Sequence, residues 1–146
     1  MSELEARFVA EPVAIADFTS RTMEFLEEAG VDPRAVHHVA LVLEELLTNI
    51  ATHGGAPDEP ASVRIKVEPL RVAGEIIDAG VPFDPRAAPR PDVRAAIEER
   101  PIGGLGLFLT RQFTSDLDYV RRDGRNHTAF SIGRRVTPAT EDSKEN

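Results

Sequence analysis

The sequence predicts one α+β domain of two layers, with three or four helices on one face of a mixed, mostly antiparallel sheet. Three observations carry this. Two long stretches repeat their apolar residues at helical spacing, several short runs alternate or cluster β-formers, and 146 residues suffice for one core. A chain of this size buries about 68–70% of its unfolded surface, which leaves no room for a second core.

The elements follow in order. "EARFVA", residues 5–10, alternates polar and apolar side chains and reads as an opening strand. From Pro12 to Ala29, Val13, Ala16, Phe18, Met23, Phe25 and Leu26 recur with helical spacing, and Gly30 supplies the stop. "DPRAVHHVALVLEELLTNIATHGG", residues 32–55, opens with an Asp cap and a Pro in the first helical position and closes on two glycines. "SVRIKVEPLRVAGEIIDAG" offers strands over 62–68 and 71–78, broken near Pro69.

The stretch from Val81 to Pro101 departs from this pattern. It carries five of the 11 prolines, at 82, 85, 89, 91 and 101, around a short helix-like run "DVRAAIEER". A Pro-rich excursion of this length in a compact domain reads as a functional lid. Beyond it, "LGLFLTRQFTSDL" reads as helix, "DYVRR" as strand, "DGRN" as turn and "HTAFSIGRR" as the last strand. The domain is expected to span residues 1–136, with "TPATEDSKEN", 137–146, as a disordered polar tail.

Composition narrows the function classes. With 25 acidic and 17 basic residues the net charge is −8, which argues against nucleic acid as a direct partner, because phosphate neutralisation needs a basic footprint. The cluster Arg121, Arg122 and Arg125, with Arg134 and Arg135, reads as solvated strand and turn charge, with an acidic partner surface as the alternative. The absence of cysteine excludes disulfides and thiolate metal sites and fits a reducing cytosol. "MSELEARFVAEP" lacks a signal-like apolar core and no apolar run approaches 18 residues, so a soluble, cytoplasmic protein without membrane contact is expected.

Three constellations bear chemistry. On the second helix Val36, Ala40, Leu43, Leu47 and Ile50 form a core stripe. Glu45 and Asn49, four apart, stack on consecutive turns away from it. A solvated face explains them equally well, yet Asn and Thr are poor mid-helix residues, and a face of Leu41, Glu45, Asn49 and Thr52 fits a pocket wall. In "EIIDAGVPFDP" a strand ends at Asp78 and Gly80 turns the chain. That is either a common Asx turn or a buried carboxylate for a ligand amine, with Gly80 leaving room for a flat ring. In "PIGGLGLFLTRQF", residues 101–113, Gly103, Gly104 and Gly106 open an amphipathic helix at a cost of about 1 kcal/mol each relative to Ala. No glycine is followed by lysine, which excludes a P-loop, and Leu109 stands where a dinucleotide fingerprint needs glycine. What remains is a glycine-rich turn whose free N–H groups and dipole suit an anion. His37, His38, His53 and His127 show no metal-ligand spacing, and no nucleophile elbow or ordinary protein-kinase signature occurs.

Taken together, Glu45–x–x–x–Asn49, Asp78–x–Gly80 and "GGLGLFL" before a helix resemble the GHKL ATP-binding superfamily. Within it, "EELLTNIATHG" and "GGLGLFLTRQFTSDLDYV" resemble the bacterial anti-sigma-factor serine/threonine kinases, over roughly residues 5 to 134. The resemblance implies the Bergerat α/β sandwich, with ATP or ADP between the helices and the sheet. It makes Asn49 the ligand of a phosphate-bridging Mg²⁺ and Glu45 the general base toward a serine or threonine hydroxyl. Asp78 would take the adenine amine and Gly80 admit the ring. Gly103, Gly104 and Gly106 would contact phosphate, with Arg100 a further phosphate candidate, and Thr128 would add an adenine-side hydroxyl. His53 falls at a common family position without an assigned role. The implied partners are a sigma factor, which the chain would sequester, and a STAS-domain antagonist, which it would phosphorylate; a homodimer is a further family expectation. A nucleotide-gated binding regulator without kinase activity, or a stand-alone histidine-kinase-like ATPase domain, are the alternatives.

Overall fold

The computed structural model describes residues 2–87 and 110–136. In chain order these form β1 (Glu3–Val9), α1 (Pro12–Glu28), α2 (Pro33–His53), β2 (Pro60–Val67), β3 (Arg71–Asp78), a 3₁₀ turn (Pro85–Ala87), β4 (Asp116–Arg122) and β5 (Arg125–Gly133). Residues 110–113 are helical as well. The glycines at 103, 104 and 106, Arg100, the "DVRAAIEER" run and the tail lie outside the described residues.

The sheet order is β1-β2-β3-β5-β4, and every neighbouring pair is antiparallel. The mixed sheet expected from the sequence is thus fully antiparallel among the described residues. Period-2 alternation in each strand gives the sheet one apolar face. Val63, Ile65, Val72, Ile76, Phe130 and Ile132 on that face are buried against α1 and α2. Burying a side chain of this kind contributes about 1.5–3 kcal/mol, so this seam is the main source of stability.

Helix α2 begins as its sequence requires. The Asp32 carboxylate accepts the Ala35 N–H at 3.2 Å, and Pro33 takes the first helical position. Of the expected core stripe, Val36, Ala40, Leu43 and Leu47 are buried and Ile50 is partly buried. Val39, Val42 and Leu46 are buried too, because α2 packs against both α1 and the sheet and so needs a wider apolar face than one stripe.

The β4–β5 hairpin closes on Asp123 (φ 53°) and Gly124 (φ 74°), two left-handed residues that match the twist of the flanking strands. The expected four-residue turn is therefore two residues long. Arg125 and Asn126 belong to β5, which begins earlier than the sequence indicated. This shift carries Asn126 into the sheet face beneath α2.

Candidate functional site

A cleft open to solvent lies between the C-terminal half of α2 and the ends of β3 and β5. Leu46, Asn49, Ile50, His53 and Gly54 form one wall, and Ile76, Asp78, Asn126 and Thr128 form the sheet side. Val81, Phe83 and Pro85, from the segment after β3, close the rim. The lining is mostly apolar with a few convergent polar groups, the make-up of a small-molecule site.

The position of Asp78 follows from strand register. It ends β3 on the inward face opposite Asn126, and it is 6% exposed. A buried carboxylate needs donors, and one oxygen has two. Oδ2 accepts the Gly80 N–H at 2.9 Å and the Asn126 side-chain amide at 3.1 Å. Oδ1 has no protein partner among the described residues. The Asx turn therefore forms, and it leaves the second oxygen unengaged in the cleft.

Gly80 also makes a close backbone approach that the sequence did not indicate. A Cβ there would sit 2.6 Å from the Gly54 carbonyl oxygen and 3.0 Å from Gly54 Cα, and Gly80 is not part of the cleft lining. The missing side chain lets the strand end approach the end of α2, where the Val81 N–H donates to the Gly54 carbonyl at 2.8 Å.

On α2, Asn49 is 5% exposed and lines the cleft, rather than facing solvent. Its side-chain N–H donates to Glu45 Oε2 at 2.9 Å, one helical turn back. That bond leaves the Asn49 carbonyl oxygen available as a ligand for a hard cation. Glu45 is half-buried. Its pKa is raised, first by burial and secondarily by the Glu44 carboxylate, against the lowering effect of the Asn49 bond. A carboxylate held in this way is a better proton acceptor than a solvated one. Of the other proposed wall residues, Leu41 is partly buried and Thr52 is exposed, and neither lines the cleft.

Thr128 faces the same space from β5, 7% exposed, and its hydroxyl has no protein partner among the described residues. It pairs with Ile76 across the ladder and so sits level with the apolar floor.

Sequence reasoning missed Asn126. Its Nδ2 donates to Asp78 and, at 2.8 Å, to the Val81 carbonyl. Its Oδ1 accepts from the Tyr119 hydroxyl, from Arg121 at 3.1 Å and from the Phe83 N–H at 3.4 Å. Arg121 also donates to the Gly80 carbonyl at 2.7 Å, so one member of the arginine cluster is part of the framework of the site. The available signal was register: Asp78 at a strand end pairs with whatever begins the partner strand.

The comparisons with known proteins agree with this geometry. Residues 8–132 match the model of the histidine kinase-like ATPase domain. The chain is 31% identical over 129 residues to the serine/threonine-protein kinase BtrW of Bordetella bronchiseptica, covering 87% of this chain and 82% of that one. In fold it is similar to the RsbU and RsbW domains of Rv1364c from Mycobacterium tuberculosis, with TM-score 0.67 and 17% identity over 94% of this chain. It spans only 34% of that longer protein. It is also similar to a chain of the SiaB–SiaC complex from Pseudomonas aeruginosa, with TM-score 0.57 and 20% identity over 89% of both chains. Among the described residues no helix is long and apolar enough to cross a membrane. The two-layer α+β architecture, the cleft and the sequence match converge: the chain belongs to the histidine kinase-like ATPase domain family, a nucleotide-binding, kinase-type fold.

Proposed function

We propose that this chain is an ATP-dependent serine/threonine protein kinase that also acts as an anti-sigma factor. It would hold a sigma factor and phosphorylate a STAS-domain antagonist of that hold. The observation that carries the reading is that Asn49, hydrogen-bonded to Glu45 one turn back, lines the cleft whose floor offers the unengaged Asp78 oxygen. A nucleotide with its base at Asp78 would direct its phosphates toward Asn49 and Glu45.

The residues fit such a ligand. Asp78 Oδ1 and the Thr128 hydroxyl are polar atoms without protein partners in an apolar cleft, as a purine edge requires. Asn49 would hold Mg²⁺, which neutralises phosphate charge when bound. Glu45 would take the proton from the attacking hydroxyl. Gly103, Gly104 and Gly106 are assigned the phosphate contacts on the family resemblance and the anion preference of a glycine-rich helix start. Phosphoryl transfer depends mainly on positioning and charge neutralisation, which this set supplies without a covalent intermediate on the protein. Residues 1–136 are assigned to this one domain.

The partner assignment draws on the kinase relative BtrW, on the RsbU–RsbW pairing and on the SiaB–SiaC complex. It is tested by affinity isolation from the native cell with and without ATP, with partners identified by mass spectrometry and phosphosites by chemistry. The reading expects a sigma factor and a STAS protein, the latter carrying acid-stable phosphoserine or phosphothreonine. Recovery of neither, or an acid-labile phosphohistidine on the target, would contradict it.

A further inference from the structure

We infer that Asn126 is the positioning residue that fixes Asp78 for a purine bearing a 6-amino group, and so sets the base specificity of the site. The inference rests on the nucleotide-binding reading above and adds a residue and a selectivity to it. Asn126 does not touch the proposed base-binding oxygen; it acts through the other one.

Asp78 Oδ2 receives two N–H groups, from the Gly80 backbone and from Asn126 Nδ2. A carboxylate with one oxygen doubly held cannot rotate about χ2 without losing both bonds, so Oδ1 is aimed in one direction. The orientation of Asn126 is determined by its surroundings. The side facing Asp78 and the Val81 carbonyl offers only acceptors, and on the other side Arg121 and the Phe83 N–H offer only donors, with the Tyr119 hydroxyl able to do either. A flipped amide would set like against like at Asp78, the Val81 carbonyl, Arg121 and the Phe83 N–H. Asn126 is 4% exposed, so water does not substitute for these partners.

The consequence is selectivity. An oxygen that only accepts, fixed in direction, favours an exocyclic amine at purine C6 and repels a carbonyl at the same position. Replacing Asp78 by Asn should invert the preference in a defined way. The two donors that now hold Oδ2 would hold the new amide oxygen, which turns its NH₂ toward the base and suits a 6-oxo purine.

The test measures affinities of the full chain for ADP, for purine riboside 5′-diphosphate, which lacks the 6-amino group, and for IDP, which carries a 6-oxo group. In the wild type ADP should bind at least about tenfold tighter than either analogue, the size of one buried hydrogen bond. In N126A and the near-isosteric N126L the ratio of ADP to purine riboside diphosphate should fall severalfold toward unity. A merely structural loss would weaken both ligands alike and leave the ratio unchanged. D78N with Asn126 intact should shift the IDP-to-ADP ratio toward IDP by about tenfold or more, and the D78N/N126A double variant should lose that gain. An unchanged 6-amino ratio in folded N126A or N126L would overturn the inference. If those variants do not fold, D78N decides: failure to gain IDP preference would overturn it. Nucleotide binding by the wild type with no base preference would overturn this inference alone, whereas no nucleotide binding would overturn the functional reading beneath it as well.

Discussion

The side-chain amide of Asn49 donates to Glu45 Oε2 across one turn of α2, at 2.9 Å, with Asn49 buried and Glu45 half-buried. This bond orients both groups. It points the Asn49 carbonyl oxygen away from Glu45, and it holds the half-buried Glu45 carboxylate against Asn49, which lines the cleft. N49A should therefore lose the part of nucleotide affinity that depends on Mg²⁺ while retaining the rest. Titration with ATP in the presence and absence of Mg²⁺ checks this: the wild type should tighten with the metal by about tenfold or more, and N49A should not.

The raised pKa of Glu45 has two consequences. Burial favours its neutral form in the folded chain, so the carboxylate weakens folding once the pH rises above the ordinary value of 4.5. E45Q should be more thermally stable than wild type at pH 7, and the two should converge below about pH 4.5, where both side chains are neutral. Phosphoryl transfer, which needs the ionised form, should rise with pH around a midpoint above 4.5. Melting curves and a transfer-rate profile over pH 4–8 separate these effects.

Gly80 should tolerate no side chain. In G80A the new Cβ would meet the Gly54 carbonyl at 2.6 Å and Asp78 Oδ2 at 2.9 Å, and the Gly54 contact is backbone. We expect a loss of about 1–3 kcal/mol in denaturant unfolding, together with weaker nucleotide binding as Asp78 is displaced. Gly30, whose Cβ would meet nothing within 4 Å, provides the contrast: G30A bears only the strain of its φ of 81° and should leave nucleotide affinity unchanged.

His38 stacks face to face on Phe113, ring centroids 4.1 Å apart, and so ties α2 to the helical residues 110–113. Its pKa is lowered, first by burial and then by the Arg34 guanidinium and His37, with Asp32 opposing. The folded chain favours the neutral ring, so stability is full above the ordinary value of 6.5 and falls as the pH drops below it. H38Q should reduce that decline between pH 6.5 and 5, a difference that pH-dependent thermal unfolding will show.

Much of this fold could be read from local pattern. Asp32 and Pro33 fixed the start of α2, and β3 ended at Asp78 as expected, because caps and period-2 alternation are local properties. Asp78, Asn49 and Thr128 do line one cleft. What was not legible depended on long-range pairing. Asn126 follows a turn-forming Asp–Gly pair and looks like turn sequence, and only its register opposite Asp78 reveals its role. Gly80 lies against Gly54, brought there by the packing of α2 on β3, a contact that no local pattern shows. Thr52 shares a helical face with Asn49 but is exposed and does not line the cleft.

The central claim is that Glu45 acts as the base for phosphoryl transfer from a nucleotide held in this cleft. It is tested most directly by E45Q, assayed in parallel for ATP binding and for single-turnover transfer to a STAS-domain substrate. The account predicts near wild-type ATP affinity with transfer reduced by about 10²-fold or more. Transfer by E45Q at the wild-type rate would contradict it.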